Sequence, residues 1–436
     1  MANLSSVLGK NARSRLFSYR SNTAKGRRIA TSKLWAKQVL KRAGIPVPKT
    51  FAKFKIPEDT TKFDWGGLPE SFALKPNKGL GGEGIIVVKK RAPDYTKENP
   101  VWMTISKQKV SAEDLKLHVL DILEGAYSIN NVPDKAFIEE FIGRHKAFRK
   151  YAYRGFPDIR VIVLNFVPVM AMLRVPTKES GGRANYHQGA IMIGIDIATG
   201  ITTRAFWHNR YIRYKPETER KLNGIKIPNW TKILELAASC GTAVGLGYYG
   251  ADIVLHPTEG PMVLELNYQP GLSIQLANKS GLKKRLERVE GLEVKDAEHG
   301  VKIAKAIFAA RFATRVLANE GIKTIHVWEQ VKILGRNKKR LEVKAKIDTG
   351  AWRSSVDRTL AADMGLLTDA NTLWSKVFKS GLGIQERKVI NITFYLAGRK
   401  IKTIASVAKR SHLRTPLIIG RRDLAGFLVS SRKNPI

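Results

Sequence analysis

Asp252, Glu265 and Asn267 lie in GADIVLHPTEGPMVLELN, a segment that reads as two antiparallel strands joined by a turn. Two carboxylates and a carboxamide brought together in that way suit a hard divalent cation, which takes oxygen ligands. Magnesium normally shares its shell with substrate phosphates rather than with a complete protein cage, so the triad implies a nucleotide, with manganese as the substitute metal. Strand alternation alone can also produce such a triad, and the remaining evidence lies upstream.

There FALKPNKGLGGEGIIVVKK places Lys75 at the end of an apolar run, followed by the glycine-rich loop Lys78, Gly79, Leu80, Gly81, Gly82, Glu83, Gly84 and a strand-like IIVVKK. Backbone amides in such a loop can approach oxygens closely, and with flanking lysines they form a phosphate cradle. No GxxxxGK[ST] occurs and the loop leads into a strand, which disfavours both the Walker loop and the dinucleotide fingerprint. A glycine-rich hairpin turn without a ligand is the alternative.

Together these segments resemble the ATP-grasp carboxylate-amine ligases over most of residues 30 to 290, and the order of motifs carries the resemblance. It implies an α+β ATP-grasp fold with ATP and Mg²⁺ as cofactors. In TSKLWAKQVLKRAGIPVPKT, Lys33 occupies the place of the first nucleotide-binding lysine, with Lys75 the second. AFIEEFI is similar to the family's hinge strand, where Glu139 would accept from the adenine amino group. Glu140 stands beside it, and the backbone at Phe141 and Ile142 would read the ring edge. In PDIRVIVLNFVPVMAMLRVP, Asp158 takes the ribose-binding position. The thirteen-residue step from Asp252 to Glu265 also matches the family's metal strands.

GGRANYHQGA, with Arg183, Asn185, His187 and Gly189, is similar to the RxNxHxG stretch of the RimK-type glutamate ligases. That resemblance implies that Arg183 and Asn185 face the γ-phosphate and an acyl-phosphate intermediate. Where several relatives carry an arginine just before the metal aspartate, this chain has Tyr249, Gly250 and Ala251, so Arg174 or Arg183 is expected to supply the charge. ELNYQPGLSIQLANKSGL looks closer to a glutamate-ligase-related branch than to RimK itself.

A second constellation, VKAKIDTGAWRSSV followed about seventy residues on by TPLIIGRRDLAGFLV, resembles the half-size aspartic proteases of the retropepsin type, the RimB-type bacterial ones best of all. The resemblance implies a small all-β barrel over 327–436 in which Asp348, in Asp-Thr-Gly-Ala, is the catalytic carboxylate. Aspartic proteolysis needs two carboxylates sharing a proton, because like charges at close range cannot both ionise. One DTG supplies half a dyad, so an active protease requires a homodimer. A barrel that keeps the fold without cleaving is the alternative.

The 436 residues suffice for two or three domains with full cores. Lysine and arginine number 76 against 37 acids, a formal charge of +39, of which +15 falls from Val327 onward and +24 before it. A field of that sign favours polyanionic partners, acidic protein or peptide tails and nucleic acid or ribosome among them. No acid occurs between Met1 and Pro57, where fourteen residues are basic, and SRLFSYRSNTAKGRR reads as a basic amphipathic entry to the fold. No span of eighteen apolar residues occurs, which argues against membrane insertion. The single cysteine, Cys240, excludes an internal disulfide and suits a reducing cytoplasm.

Expected organisation is a ligase over 1–320, with the basic entry at 1–30 and a nucleotide-loop subdomain over about 70–140, then the barrel. SAEDLKLHVLDILEG and TKILELAASCGTAVG carry helical periodicity, as does the segment 294–321 up to Gly321. Turns are expected at 335–339 and 398–400. The expected activity is ATP-dependent amide formation, adding a free glutamate-like amino acid to an acidic protein or peptide, with an aspartic peptidase trimming the product. Two alternatives stay open: a dead barrel docking the ligase on a ribosome or nucleic-acid assembly, and a small-molecule peptide ligase.

Overall fold

The computed structural model describes residues 6–79, 81–308, 323–336, 339–380, 383–410 and 413–430. Leu80 of the glycine loop, the helix end at Gly321 and the middle of the turn at 335–339 lie outside the described residues. The chain divides into two compact units, Met1–Val289 and Glu290–Ile436.

In the first unit the basic start is helical from Lys10 to Ser21, with a π-helical stretch at Arg13–Ser18 that buries Arg13, Phe17 and Ser18. Arg13 Nη1 donates to the carbonyls of Gln269 (3.1 Å) and Pro270 (2.9 Å), and the Asn22 side chain pairs with both backbone groups of Tyr248 at 2.8 Å. The segment is thus part of the fold: its arginine satisfies turn carbonyls that burial would otherwise leave unpaired.

Six antiparallel strands form the first sheet: β1 (Thr50–Phe54), β2 (Phe72–Pro76), β3 (Ile86–Arg91), β4 (Val101–Thr104), β5 (Lys109–Ser111) and β6 (Ala136–Glu140), in the order β1-β6-β2-β3-β4-β5. Against it packs the helix Ala112–Glu124. A capping box between Ser111 and Asp114 starts that helix, and Gly125, at φ 96°, ends it. Its Leu115, Val119 and Ile122 join Phe54, Phe72, Leu74 and Trp102 in the core of this subdomain.

The second sheet has seven strands, β7 (Asp158–Leu164), β8 (Val167–Val175), β9 (Ile191–Ile195), β10 (Thr202–Trp207), β11 (Arg210–Ile212), β12 (Tyr248–His256) and β13 (Gly260–Asn267), ordered β11-β10-β9-β8-β7-β12-β13. The helix Trp230–Val244 buries Ile233, Leu234, Ala237, Cys240 and Val244 and ends at Gly245 in the left-handed region. Burial pushes the Cys240 thiol up to about 12, which makes it a packing residue.

The second unit carries β14 (Lys323–His326), β15 (Trp328–Leu334), β16 (Arg340–Asp348), β17 (Ser354–Asp357), β18 (Thr372–Ser380), β19 (Gly383–Leu396), β20 (Arg399–Ala408), β21 (Leu417–Gly420) and β22 (Phe427–Ser430). The order β15-β16-β21-β17-β20-β19-β18, with β15 also paired to β19, closes a ring of six strands. Val331, Ile347, Val356, Ile392, Phe394, Ala405 and Ile419 fill it. This unit begins earlier than 327 because the helix Ala297–Phe308 belongs to it: His299 Nε2 meets the Leu373 carbonyl at 2.5 Å, and Arg422 Nη2 donates to the Ala306 carbonyl at 2.5 Å. Among the described residues, no helix is long and apolar enough to cross a membrane.

Candidate active site

Asp252 on β12 stands directly opposite Glu265 on β13, and Asn267 two residues on returns to the same face. Asn267 Nδ2 lies 3.1 Å from Glu265 Oε1 and 3.4 Å from Asp252 Oδ2, so the three metal-site residues expected from the sequence converge. Two arginines join them. Arg160, opposite Asp252 on β7, donates from Nε to Oδ1 (2.7 Å) and from Nη2 to Oδ2 (2.6 Å). Arg174 on β8 grips both oxygens of Asp158 and reaches Asp252 Oδ2 at 2.8 Å.

Burial pushes the Asp252 carboxyl up, but the two guanidiniums outweigh it and hold it well below the carboxylate range. At Asp158 burial, reinforced by the neighbouring Asp252, outweighs the Arg174 guanidinium and the weaker pull of Arg160, and its carboxyl is raised to about 6. Three carboxylates against two guanidiniums leave the cluster one negative charge when all are ionised, so a dication is favoured there. Asp158, expected at the ribose, spends both carboxylate oxygens on Arg174. Arg174, one of the two arginines expected to bring charge to Asp252, does lie against it. Arg160 was missed; its two-residue spacing from Asp158 on one strand face was the available signal.

The glycine loop belongs to the other sheet, following β2. Ser32 caps the helix Lys33–Arg42, and the buried Asn77 side chain accepts from Ser32 Oγ and Leu34 N, fixing the helix start beside β2. From that start Lys33 Nζ reaches the Gly79 carbonyl at 2.7 Å. Lys78 holds the loop base through its amide, 2.6 Å from Asp134 Oδ2, and its side chain is exposed. Gly81, Gly82 and Gly84 have φ of +67°, +85° and +67°, a region L side chains rarely adopt. Asn185 Nδ2 donates to the Gly81 carbonyl at 3.1 Å, and a Cβ on Gly82 would lie 3.8 Å from Arg183 Cδ. The loop and the RxN segment, about a hundred residues apart in sequence, therefore meet. One offers backbone amides and the other a guanidinium and a carboxamide, groups whose chemistry suits phosphate oxygens.

Glu139 is buried at the end of β6. Lys75 holds its Oε1 and Lys37 Nζ lies 2.7 Å from its Oε2, so both oxygens that the hinge resemblance offered to an adenine amino group carry ammonium partners. Burial raises the Glu139 carboxyl, and the two lysines outweigh burial and lower it. Glu140, the next residue on the strand, turns to the other face, where its Oε2 accepts from Lys49 N at 3.2 Å. Phe141 and Ile142 follow in irregular backbone, and the Ile142 side chain packs on Val254 and Met262. Glu140, His256 and Glu259 bring ligand atoms within 4.8 Å of one another. His256 Nδ1, however, accepts from Glu259 N at 3.0 Å, which leaves the proton on Nε2, facing Glu140 at 3.4 Å. Both ring nitrogens of His256 thus already face groups of the protein.

In the second unit Asp348 ends β16, paired with Gly420 of β21. Its Oδ1 accepts from Gly350 N and Ala351 N, both at 3.0 Å, so the turn aims the half-buried carboxylate and leaves Oδ2 outside these two bonds. Asp357 is committed elsewhere: it caps a helix through Thr359 N and Leu360 N and accepts from Arg410 N at 2.7 Å. Asp423 is buried between the hydroxyls of Ser354 (2.5 Å) and Thr403 (2.6 Å), and burial raises its carboxyl. The Arg421 guanidinium lies over the Trp352 ring at 5.4 Å, a structural role.

Residues 12–291 match the family described as sugar-transfer associated ATP-grasp. No curated protein matches the chain. Solved structures similar to it include the ATP-grasp ligase PsnB complexed with minimal precursor, at 18% identity over 58% of this chain and 56% of PsnB, with a TM-score of 0.29. D-alanine–D-alanine ligase from Bacillus anthracis complexed with ATP is 16% identical over 61% of this chain and 66% of that one, with a TM-score of 0.35. A Legionella pneumophila protein of unknown function aligns with 25% of this chain and 93% of its own, at 15% identity and a TM-score of 0.18. The chain thus spans little more than half of PsnB and about two thirds of the D-alanine ligase. On the match to well over half of its length, the chain belongs to the sugar-transfer associated ATP-grasp family, with ATP and Mg²⁺ as its cofactors.

Proposed function

We propose that the first unit is a carboxylate-amine ligase. The observations that carry this reading are the meeting of the glycine loop with Arg183 and Asn185, and the facing pair Asp252 and Glu265. ATP supplies the γ-phosphoryl group, which a substrate carboxylate takes up with release of ADP; an amine then displaces phosphate from the acyl phosphate, losing a proton as the amide forms. Lys33, Lys75 and the loop amides bind and orient the polyphosphate. Asp252, Glu265 and Asn267 would hold Mg²⁺ against it. Arg183 and Asn185 stabilise charge on the group in transfer, and the loop keeps water from it.

The GGRANYHQGA segment supports a RimK-type preference, a glutamate-like amino acid joined to a protein or peptide, and the +39 charge supports an acidic acceptor. The second unit is read as an aspartic peptidase of the retropepsin kind, active as a homodimer, because Asp348 sits in a DTGA turn that orients a single carboxylate. Incubating the full chain with ATP, Mg²⁺, glutamate and an acidic peptide, then weighing the peptide, tests the ligase. An added glutamate residue supports it. ADP release that needs no peptide points to a small-molecule ligase instead.

A further inference from the structure

Lys37 is used by none of the roles above. It lies one helical turn beyond Lys33, its side chain is 7% exposed, and its ammonium stands 2.7 Å from Glu139 Oε2. Lys75 holds the other oxygen, and its side chain, at 16%, is the more accessible of the two. One buried carboxylate thus has two ammonium partners where one would neutralise it. Glu139 faces Lys37 from the helix Lys33–Arg42 and Lys75 from β2, while its partner on β1, Thr50, and on β2, Ala73, carry no charge. Glu265 acts on Lys37 from further off.

We propose that Lys37 is a positioning residue, the standing counter-ion of Glu139, which lets Lys75 leave that carboxylate for the nucleotide phosphates. The proposal rests on the ATP-site reading. Lys75 is the last residue but one of β2, shortly before the glycine loop, so it is the lysine placed to turn toward a polyphosphate. If Lys75 were the sole partner, its departure would strand a buried carboxylate, which would have to take up a proton to stay buried. With Lys37 in place, Glu139 keeps a charge partner and nucleotide binding stays proton-neutral. Lys37 itself stays on Glu139 and makes no phosphate contact.

The experiment is calorimetric titration of the full chain with ADP and Mg²⁺ at pH 7 in two buffers of different ionisation heat, which counts protons. Wild type is expected to take up close to none. Lys37→Met is expected to take up approaching one proton per ADP and to bind about tenfold more weakly, and Lys37→Arg to restore wild-type behaviour. The double variant Lys37→Met/Glu139→Gln removes both charges and is expected to bind within a few-fold of wild type without proton uptake. It carries the test if the single variant does not fold. Proton-neutral binding by folded Lys37→Met, or loss of ADP binding in the double variant, overturns the proposal alone. Failure of the wild type to bind ADP overturns the ATP-site reading and the proposal with it.

Discussion

Arg160 and Asp252 face each other across β7 and β12, and the guanidinium holds both carboxylate oxygens, at 2.7 and 2.6 Å, inside the site that is to take a dication. Replacing Arg160 by leucine leaves Asp252 with Arg174 alone. Breaking a buried pair of this kind costs about 3 kcal/mol. Urea unfolding should show a loss of that size, and Mg²⁺ should restore part of it by supplying charge to Asp252. Arg160→Lys keeps the charge but not the fork, and should fall between.

Gly84 is the loop glycine least able to change. It combines φ +67° with a Cβ position 2.5 Å from the Tyr127 ring, whereas Gly44, at φ +72°, has nothing within 4 Å. Gly84→Ala should cost about 1–3 kcal/mol in unfolding free energy, and Gly44→Ala about 1 kcal/mol, from backbone strain only. Equal losses in the two variants would show that Tyr127 yields.

Acid should unfold the protein through its depressed carboxyls. Burial raises Glu139 and Asp252, but their cationic partners outweigh it and lower both below their ordinary values of 4.5 and 3.8. A depressed folded-state value contributes stability that is present above the unfolded value and lost as pH falls through the folded one. Asp158, whose carboxyl is raised to about 6, works in the opposite sense, so thermal midpoints of the ligand-free protein should rise slightly from pH 7 to about 5 and then fall below about 4.5, as the depressed carboxyls lose their contribution. In Lys37→Met/Glu139→Gln the fall should be shallower.

The juxtaposition of Asp252 and Glu265 was legible because they sit on one hairpin, where register follows from a short turn. The glycine loop was legible because positive φ needs glycine. Arg160 was not, because the pairing of β7 with β12 spans 92 residues and no local period encodes it. Lys37 was hidden for another reason: on an amphipathic helix a lysine four residues from Lys33 reads as a solvated side chain, and only the packing of that helix beside β6 buries it. The hinge strand pointed to Glu139, but its two ammonium partners come from two other elements, helix Lys33–Arg42 and β2. The basic start read as an entry to the fold, and the burial of Arg13 against the 269–270 turn depends on a contact 256 residues away. The closed ring of the second unit depends on the non-local β15–β19 pairing, while the DTGA turn within it is local and was readable.

The second unit makes its own prediction. If one DTGA turn is half a dyad, cleavage of an acidic peptide should rise with protein concentration until dimers saturate, and Asp348→Asn should abolish it without changing ADP release. Because Asp348 Oδ1 accepts two amides, the asparagine variant should fold normally. Cleavage that survives Asp348→Asn, or no cleavage at any concentration or pH, removes the peptidase and leaves a docking module.

The most direct measurement is Mg²⁺-dependent ADP formation by wild type and by Glu265→Gln, alongside ADP binding with and without Mg²⁺. Glu265 faces Asp252 and, on the proposed reading, would be one of the two anionic metal ligands, whose loss leaves the triphosphate charge poorly neutralised. Glu265→Gln should keep its fold and its metal-free ADP affinity, lose the increment that Mg²⁺ adds, and turn over less than a hundredth as fast, on the order of one lost charge contact or more. Turnover near the wild-type rate, with an unchanged response to Mg²⁺, would contradict the placement of the metal on Asp252, Glu265 and Asn267.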